Sequence, residues 1–450
     1  MHASKLRPWT LLFCFSCIGL LANNIELRAG DTWPGFRGPT WDGHAPSQKL
    51  PTVWSEEQNV SWKVPVTGQG YSSPVIADGQ IWLTTAVTSE LTPEQKQARA
   101  EDLARFESKQ LNVVGNVSLR ALCFDLHSGK QLHDIEIFSV DDPETVHYTN
   151  TYASPTPIVH EGRLIAHFGS YGTAAIDCQS GSILWRNEEF HIDHENGPGS
   201  SPILWEDLAI IHFDGRDLQF VIALNVADGS LAWKTDRSGE LSPIPDVKKA
   251  YCTPLIVETP SGVELVSPGS TWVYGYDPRT GSELWKANYG ELGFSTVPCP
   301  VAGHGIAYIC TSFNKSKLLA IKFGGRGDVT ESHVVWTSDS QIPKKPSLLL
   351  SGQELLSCND TGVVTCFDAL DGETLWRARV GGNFAASPIL AGGLIYLFDQ
   401  DGKGTVLKAG REHIQVAVNT LDEGCNASPA VAEDAIILRT ASHLYRIEEK

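Results

Sequence analysis

The sequence has too little positive charge to suit a nucleic-acid or anionic membrane surface. It contains 35 Lys and Arg residues against 53 Asp and Glu residues, and its formal net charge is -18 at pH 7. An acidic surface repels phosphate groups, and no stripe rich in Lys or Arg overcomes that repulsion locally. We therefore expect neither nucleic acid nor an anionic membrane surface as a partner.

Cysteine pairs of the kind that bind metals or exchange electrons are also missing. The chain has ten cysteines, yet beyond the first thirty residues none forms a Cys-x-x-Cys motif and none is adjacent to another. This spacing excludes the usual zinc and thioredoxin-like motifs. The sequence leaves the disulfide pattern open.

Long apolar runs are absent after residue 22. The one run of this kind, residues 9–22, follows two basic residues and is too short to span a bilayer, which is typical of a secretory signal peptide. We predict a signal peptide over residues 1–29, with cleavage after Ala22 or after Ala29. The protein is then exported to the periplasm or the extracellular space, without a direct membrane span.

What the sequence does contain is one unit repeated along its length: Asp or Asn, three residues, Gly, three residues and Trp. A period of roughly forty to fifty residues indicates one supersecondary unit stacked many times. Four complete copies are present, and a fifth has His in place of Trp: Asp177-Gly181-Trp185, Asn225-Gly229-Trp233, Asp277-Gly281-Trp285, Asp368-Gly372-Trp376 and Asp125-Gly129-His133. One Trp per unit at a fixed offset from the turn predicts packing between neighbouring sheets rather than stacking on a cofactor.

Each copy has the pattern of a β-hairpin, because an alternating apolar run precedes the Asp or Asn and a second run follows the Gly. Upstream of each hairpin a small residue and a Pro introduce a further apolar strand. This marker occurs at Pro74, Pro155, Pro202, Pro254, Pro298, Pro388 and Pro429, and in a degenerate form at Pro346. Eight units of roughly four strands predict an all-β fold, an eight-bladed β-propeller of four-stranded antiparallel blades.

The two ends of the repeat array predict how the ring closes. The last unit, residues 427–447, stops before its fourth strand, whereas residues 59–64 form such a strand without a unit of their own. We expect this N-terminal strand to complete the last blade and remove the exposed edges of an open ring. An N-terminal extension over residues 30–58 then precedes a propeller over residues 59–450.

An insertion interrupts the first blade over residues 89–116. Thr92, Pro93 and Gln95 form a capping-box sequence at the start of a helix, which we expect to end near residue 109. The insertion is either a solvated decoration or an element that docks a partner.

The segments that lead into the innermost strands of a propeller form a ring around the mouth of its central channel. Aromatic, amide and charged side chains converge there in this sequence, which is the usual composition of a binding site. We predict a ligand-binding mouth that contains Tyr71, His147, Tyr152, His191, Asp193, His194, Asn196, Lys248, Lys345 and Asn426. The alternative is that these side chains only cap strand ends and bond backbone groups between blades.

Residues 191–199 are the richest part of this ring, with two histidines, two acids and an amide. Asp193, Glu195 and Asn196 are the candidate metal ligands, although an irregular loop offers no fixed ligand spacing. No residue is assigned a catalytic role.

The repeat and the small-residue-Pro strand resemble the tryptophan-docking repeat of PQQ-like propellers, the group that contains quinoprotein alcohol dehydrogenases and the outer-membrane assembly factor BamB. The resemblance covers residues 33–447, and the opening segment Trp33-Pro34-Gly35-Phe36-Arg37-Gly38-Pro39 is similar to a motif of secreted bacterial members. For the dehydrogenases the resemblance implies pyrroloquinoline quinone (PQQ) held between an indole and a disulfide of adjacent cysteines, with calcium bound by acid and amide side chains. This chain has no adjacent cysteines.

Two main functions follow from the resemblance. We favour a non-catalytic binding or scaffold protein of the cell envelope, similar to BamB, that needs no cofactor and binds an envelope protein, a peptide or a glycan. The alternative is a PQQ-dependent quinoprotein oxidoreductase with a divergent active site that uses PQQ with calcium. A third function, a sensor or a lid for another exported enzyme, rests on the helical insertion alone.

Overall fold

The chain folds into a closed ring of eight antiparallel β-sheets, which confirms the predicted eight-bladed propeller. The computed structural model describes residues 32–47 and 49–450, so the predicted signal peptide lies outside the described residues. Each blade has four strands, which follow one another in the chain in every blade except blade 8, where the N-terminal strand is outermost. The sheet of blade 4 gains a short fifth strand, Gly327–Asp328, that runs parallel to its neighbour. The first strands of neighbouring blades approach each other, so the first strand of each blade is the innermost.

The four strands of each blade follow one another from the innermost to the outermost. Blades 1 to 4 contain Val75–Ala77, Gln80–Ser89, Asn116–Asp125, Gln131–Asp141; Ile158–His160, Arg163–His167, Thr173–Asp177, Ile183–Asn187; Ile203–Trp205, Leu208–Asp214, Gln219–Asn225, Leu231–Asp236; and Leu255–Thr259, Gly262–Pro268, Trp272–Tyr276, Glu283–Asn288. Blades 5 to 8 contain Val301–Gly303, Ile306–Cys310, Leu318–Lys322, Val334–Ser338; Leu349–Ser351, Glu354–Cys358, Val363–Asp368, Thr374–Arg379; Ile389–Ala391, Leu394–Phe398, Lys403–Lys408, Gln415–Thr420; and Ala430–Ala432, Ala435–Arg439, His443–Ile447, Val60–Pro65.

The N-terminal strand closes the ring as predicted. Val60–Pro65 pairs antiparallel with His443–Ile447 and forms the outermost strand of blade 8. The strands at the two ends of the propeller thus share one sheet, and the edge that an open array of blades would expose is removed.

Most tryptophans at the ends of the blades join neighbouring blades, whereas the indole of Trp285 donates to the Glu264 carboxylate of its own blade. The indole Nε1 of each donates to a backbone carbonyl of the next blade in five cases, at 3.0 to 3.2 Å: Trp62 to Leu126, Trp185 to Val226, Trp233 to Pro278, Trp336 to Ala369 and Trp376 to Gly410. Four of these rings, all except that of Trp376, lie over the Gly of the next blade's turn, whose positive φ keeps the turn tight, such as Gly229 at φ 73°. These tryptophans are scaffold residues.

Blade 7 obtains its docking tryptophan from the N-terminal extension. Ala417 faces Val406 at the register position where Trp376 faces Cys366 in blade 6. Trp54 fills the space that a tryptophan at position 417 would occupy. It is 2% exposed, and its ring is stacked on that of Tyr396 in blade 7, with the ring centroids 6.3 Å apart. The extension is therefore part of the propeller core.

The insertion in blade 1 contains two helices, Pro93–Ala98 and Ala100–Ser108, instead of one continuous helix. The predicted capping box is present, with the Thr92 side chain accepting from the Gln95 backbone N–H and the Gln95 side chain accepting from that of Thr92. A third short helix, Thr330–His333, precedes the last strand of blade 5, and a two-stranded sheet pairs Leu111–Asn112 with Val146–His147.

Cysteines and membrane segments add little to the architecture. Within residues 32–47 and 49–450, all eight cysteines are buried and free. In the same residues, no helix is long and apolar enough to cross a membrane.

Residues 33–47, which we call the plug, cross the central channel. The backbone of Trp33 bridges to Ile76 in blade 1, Pro34 accepts from the N–H of Val159 in blade 2, and His44 bridges to Leu390 in blade 7. The ring of Trp41 packs among the cores of blades 2 to 5. Because the plug contacts first strands on opposite sides of the ring, it blocks the channel.

Candidate functional site: the axial cavity

A cavity of about 680 Å³ lies on the propeller axis, and we call it the axial cavity. Its lining includes residues from the segments that lead into the first strands of all eight blades, and Phe36 of the plug lies at its closed end. Its volume is typical of a site for a drug-sized ligand. We call the side of the ring on which it opens the cavity face, and the side that carries the Asp-x-x-x-Gly turns the turn face.

A series of hydroxyl groups surrounds the channel between the cavity and the plug. Two residues before six of the eight first strands, a backbone N–H donates to the Ser or Thr hydroxyl of the next blade. Six such bonds of 2.9 to 3.1 Å run Ser73 to Thr156, Thr156 to Ser201, Ser201 to Thr253, Cys299 to Ser347, Ser347 to Ser387 and Ser387 to Ser428. The seven hydroxyl-bearing members of this series are called the hydroxyl ring.

The hydroxyl ring explains the small residue next to Pro in seven of the repeats. This residue precedes Pro in five blades, such as Ser73 before Pro74, and follows it in blades 2 and 6, as Thr156 and Ser347. A short side chain is required because its oxygen must reach the backbone of the neighbouring blade, and the Pro fixes the chain direction into the strand. The series is interrupted at two places: in blade 5, where Cys299 offers a thiol, and between blades 8 and 1, where the Ser73 hydroxyl has no partner among the described residues. Six of the seven hydroxyls, all except that of Ser347, line the axial cavity.

The carboxylates of the cavity lining are each paired with a cation, whereas the lining ammonium group of Lys344 lies over the ring of Phe313, 5.8 Å from its centroid. Glu195 receives the ammonium groups of Lys109 at 2.7 Å and Lys249 at 3.0 Å. Burial acts to raise the pKa of Glu195, but these two hydrogen-bonded ammonium groups outweigh it and lower the pKa to about 2. Glu195 is therefore an anion at neutral pH, held between cations.

The two other carboxylates of the lining are paired as well. Asp246 lies 2.9 Å from the Arg216 Nε, and Asp360 lies 3.6 Å from the Lys345 Nζ. His147, the histidine of the lining, contacts the Thr149 hydroxyl through Nδ1 at 2.8 Å. Burial, with the charge of Lys249, lowers the pKa of His147, which keeps its ring neutral at pH 7.

Aromatic rings form much of the remaining wall. Tyr251 and Phe294 lie in the segments before the first strands of blades 4 and 5, and Phe313 lies in the loop between the second and third strands of blade 5. The ring of Phe313 is 53% exposed and lies edge-on to that of Phe294, with centroids 5.4 Å apart. This side of the mouth offers an apolar surface to a ligand.

Five of the ten predicted binding residues line the cavity: Tyr71, His147, Asn196, Lys345 and Asn426. The other five lie elsewhere. Tyr152 is buried and donates to the Glu144 carbonyl, His194 is buried, Asp193 pairs with Arg216, and neither His191 nor Lys248 is part of the lining. The neighbouring Lys249, which is 4% exposed, takes the position in the cavity.

The candidate metal ligands do not form a free donor set. The carboxylates of Asp193 and Glu195 both face Arg216, at 3.1 and 3.7 Å. In the described part of the chain, one group of three His and acid residues has its ligand atoms within 4.8 Å of one another. This group, His160, Glu161 and Asp207, lies outside the cavity lining. A calcium ion in the cavity would have to displace cations from every lining carboxylate.

The cavity residues also do not fit PQQ. Among the described residues, no tryptophan and no cysteine belongs to the lining, so these residues offer neither an indole face nor a disulfide to hold a planar quinone. The eight described cysteines are dispersed among the blades as free thiols. We derive no chemistry through this cofactor.

Comparison with protein families gives the class of protein. The chain matches the family model described as outer membrane protein assembly factor BamB over residues 52–253 and 327–448, which is more than half of its length. The chain therefore belongs to this family of PQQ-like repeat propellers. No curated protein matches the sequence.

Solved structures with the same fold include proteins of both functional groups. BamB from Moraxella catarrhalis is 12% identical, with a TM-score of 0.54, and the match covers 86% of this chain and 99% of that one. The quinohemoprotein alcohol dehydrogenase from Comamonas testosteroni is 9% identical, with a TM-score of 0.62 and coverages of 93% and 81%. A europium-containing methanol dehydrogenase is 10% identical, with a TM-score of 0.59 and coverages of 92% and 91%. At these identities the similarity shows the fold alone.

Proposed function

We propose that this chain is an exported, non-catalytic binding protein of the cell envelope, and that its partner binds at the axial cavity. The observation that carries the proposal is the state of the cavity's charged groups. Glu195, Asp246 and Asp360 are each neutralised by a lysine or arginine, so none is free to act as a general base or as a metal ligand. Such a site suits recognition better than proton transfer.

The surface around the cavity supports a macromolecular partner. Five large apolar side chains are about half exposed on the cavity face, in loops of blades 1 to 5: Tyr148, Leu218, Ile244, Leu292 and Phe313. Exposed apolar side chains around the mouth of a cavity give a protein partner apolar surface to bury. The family description, an outer membrane assembly factor, and the predicted signal peptide both support a location in the envelope.

The test is recovery of an envelope partner after cross-linking in intact cells. Phe313→Glu places a charge at the mouth of the cavity, and Leu370→Glu places one on the turn face at a residue of similar exposure, 47% against 53%. We expect the wild type and Leu370→Glu to enrich the same envelope proteins and Phe313→Glu to lose them. Equal enrichment by both variants, or none by the wild type, would overturn the proposal.

The oxidoreductase alternative has no support from the cavity's donor set. Its remaining support is the shared propeller fold, which hosts both functions. Titration with the quinone tests it separately.

A further inference from the structure

Two arginines are buried next to the axial cavity without a carboxylate partner. Arg37 and Arg439 are each 2% exposed. In the residues that the structure describes, no carboxylate lies within ion-pair distance of either guanidinium. Burial lowers the pKa of Arg37 to about 10 and that of Arg439 to about 9, so both keep their charge at neutral pH. A buried charge without a counterion is costly.

Arg37 lies directly beneath the cavity. Phe36, its neighbour in the chain, lines the closed end. The Arg37 Nη1 donates to the Pro388 carbonyl at 2.5 Å, and its Nη2 donates to the Leu348 carbonyl at 2.7 Å. Pro388 and Leu348 directly follow Ser387 and Ser347 of the hydroxyl ring. The Arg37 Nε is buried and has no hydrogen-bond partner among the described residues.

Arg439 lies behind the side wall. Its Nη1 donates to the Ser72 hydroxyl at 2.8 Å and to the Thr84 carbonyl at 2.7 Å. Tyr71 and Ser73, on either side of Ser72, line the cavity. The positive charge of Arg439 is thus one residue removed from the cavity surface.

The hydroxyl ring provides donors that the protein does not use. Each ring oxygen that accepts a backbone N–H keeps its own O–H proton, and within the described chain none of the six donates it to another protein group. Ser73 is the extreme case, because it is 1% exposed and its hydroxyl has no partner at all among the described residues. It lines the cavity.

We propose that the axial cavity captures a terminal carboxylate group, which enters first and accepts hydrogen bonds from the hydroxyl ring above Arg37. This inference rests on the proposed function and names the chemistry of its ligand. A carboxylate accepts several hydrogen bonds and supplies the negative charge that both arginines lack. Since the plug closes the cavity, a chain can enter it only by an end, and the aromatic wall of Tyr251, Phe294 and Phe313 receives the apolar part.

The carboxylate has two possible sources, the C terminus of a peptide or a small organic acid. Both are tested by mass-spectrometric capture on the immobilised mature chain. One arm uses a randomised pool of N-acetylated hexapeptides with free carboxylates, a second uses the same pool with C-terminal amides, and a third uses acetate, succinate, citrate and galacturonate. We expect at least one acid arm to bind and the amide pool to be captured about tenfold less than the free-acid pool if peptides bind.

Two serine variants test whether the hydroxyl ring carries the binding. Ser73→Ala removes a hydroxyl that bonds to nothing in the described chain, and we expect an affinity loss of about tenfold for the captured acid, the effect of one charge-assisted hydrogen bond. Ser357→Ala is the matched control, since the Ser357 hydroxyl is also buried and without a partner among the described residues but lies outside the cavity lining. It should leave the affinity unchanged.

Several results would overturn the inference: capture of neither acid arm, equal capture of free acids and amides, or equal losses for the two serine variants. Failure of the carboxylate inference is distinguishable from failure of the proposed function. If no acid binds but Phe313→Glu still removes the envelope partner, the proposed function stands and the carboxylate inference falls. If neither ligand nor partner is found, both fall.

Discussion

The indole of Trp185 lies so close over Gly229 in the next blade that a Cβ added to this glycine would be 2.4 Å from the ring. The same relationship recurs where Trp233 lies over Gly281, again at 2.4 Å. The Gly of the repeat is therefore needed twice, for the positive φ of its own turn and for the tryptophan of the preceding blade.

Replacement of Gly229 by Ala should be more destabilising than the backbone conformation alone explains. Gly162 has the same φ of 73°, but no atom of the described residues, beyond its own and those of its chain neighbours, lies within 4 Å of the position that a Cβ would occupy there, so Gly162→Ala is a matched control. We expect about 1–2 kcal/mol for the control, from the left-handed conformation, and a further loss of about 1–3 kcal/mol for Gly229→Ala from overpacking. Chemical denaturation measures both, and equal losses would show that the tryptophan contact carries no energy.

The stability of the protein should fall as the pH drops from 6.5 towards 4. His167, His194 and His212 are buried, and burial lowers the pKa of His167 to about 3, that of His194 to about 4 and that of His212 well below 6.5. The unfolded chain binds these protons near pH 6.5 and the folded chain does not. Each histidine thus contributes stability that is present above pH 6.5 and is lost below it, at roughly 1.4 kcal/mol per pH unit.

The variant His194→Gln isolates this effect from other titrating groups. Glu144 acts in the opposite direction, because burial and the charges of Asp193 and Asp217 raise its pKa to about 7, but its contribution is present in the wild type and the variant alike. We expect the slope of unfolding free energy against pH to flatten by up to about 1.4 kcal/mol per unit in the variant. The exposed His127→Gln is the control, and an unchanged slope in both variants would contradict a buried neutral His194.

Calorimetric titration with PQQ, with and without calcium, should show no calcium-dependent binding to the mature chain. The reason is that the lining, as formed by the described residues, offers no indole, no disulfide and no unpaired carboxylate. A dye-linked alcohol oxidation assay on the same sample should give no dye reduction. Tight binding together with dye reduction would establish the oxidoreductase alternative instead.

The fold could be predicted from the sequence because it depends on local signals that recur. In each unit the turn Gly precedes the Trp by a fixed number of residues in the sequence. The incomplete last unit also implies that a strand from the N-terminal part of the chain completes it, and Val60–Pro65 is this strand. Trp54 could not be assigned in this way. Trp54 lies outside the repeat and replaces the tryptophan that blade 7 lacks. Only closure of the ring brings Trp54 next to blade 7.

The site was less predictable for a related reason. The segments before the first strands could be placed at the cavity mouth, but which side of each segment faces the axis depends on backbone geometry, as Lys248 and Lys249 show. Phe313 was missed because it belongs to the loop between the second and third strands of its blade. The plug was visible as the motif that begins at Trp33, yet its contacts with first strands across the ring have no signature in sequence spacing.

The most direct test of binding at the cavity face is photo-crosslinking in living cells from a photoreactive residue at position 313, with position 370 on the turn face as the control. We expect position 313 to form a defined adduct with an envelope protein and position 370 to form none. No adduct from position 313, or the same adduct from both positions, would contradict a binding role for the axial cavity.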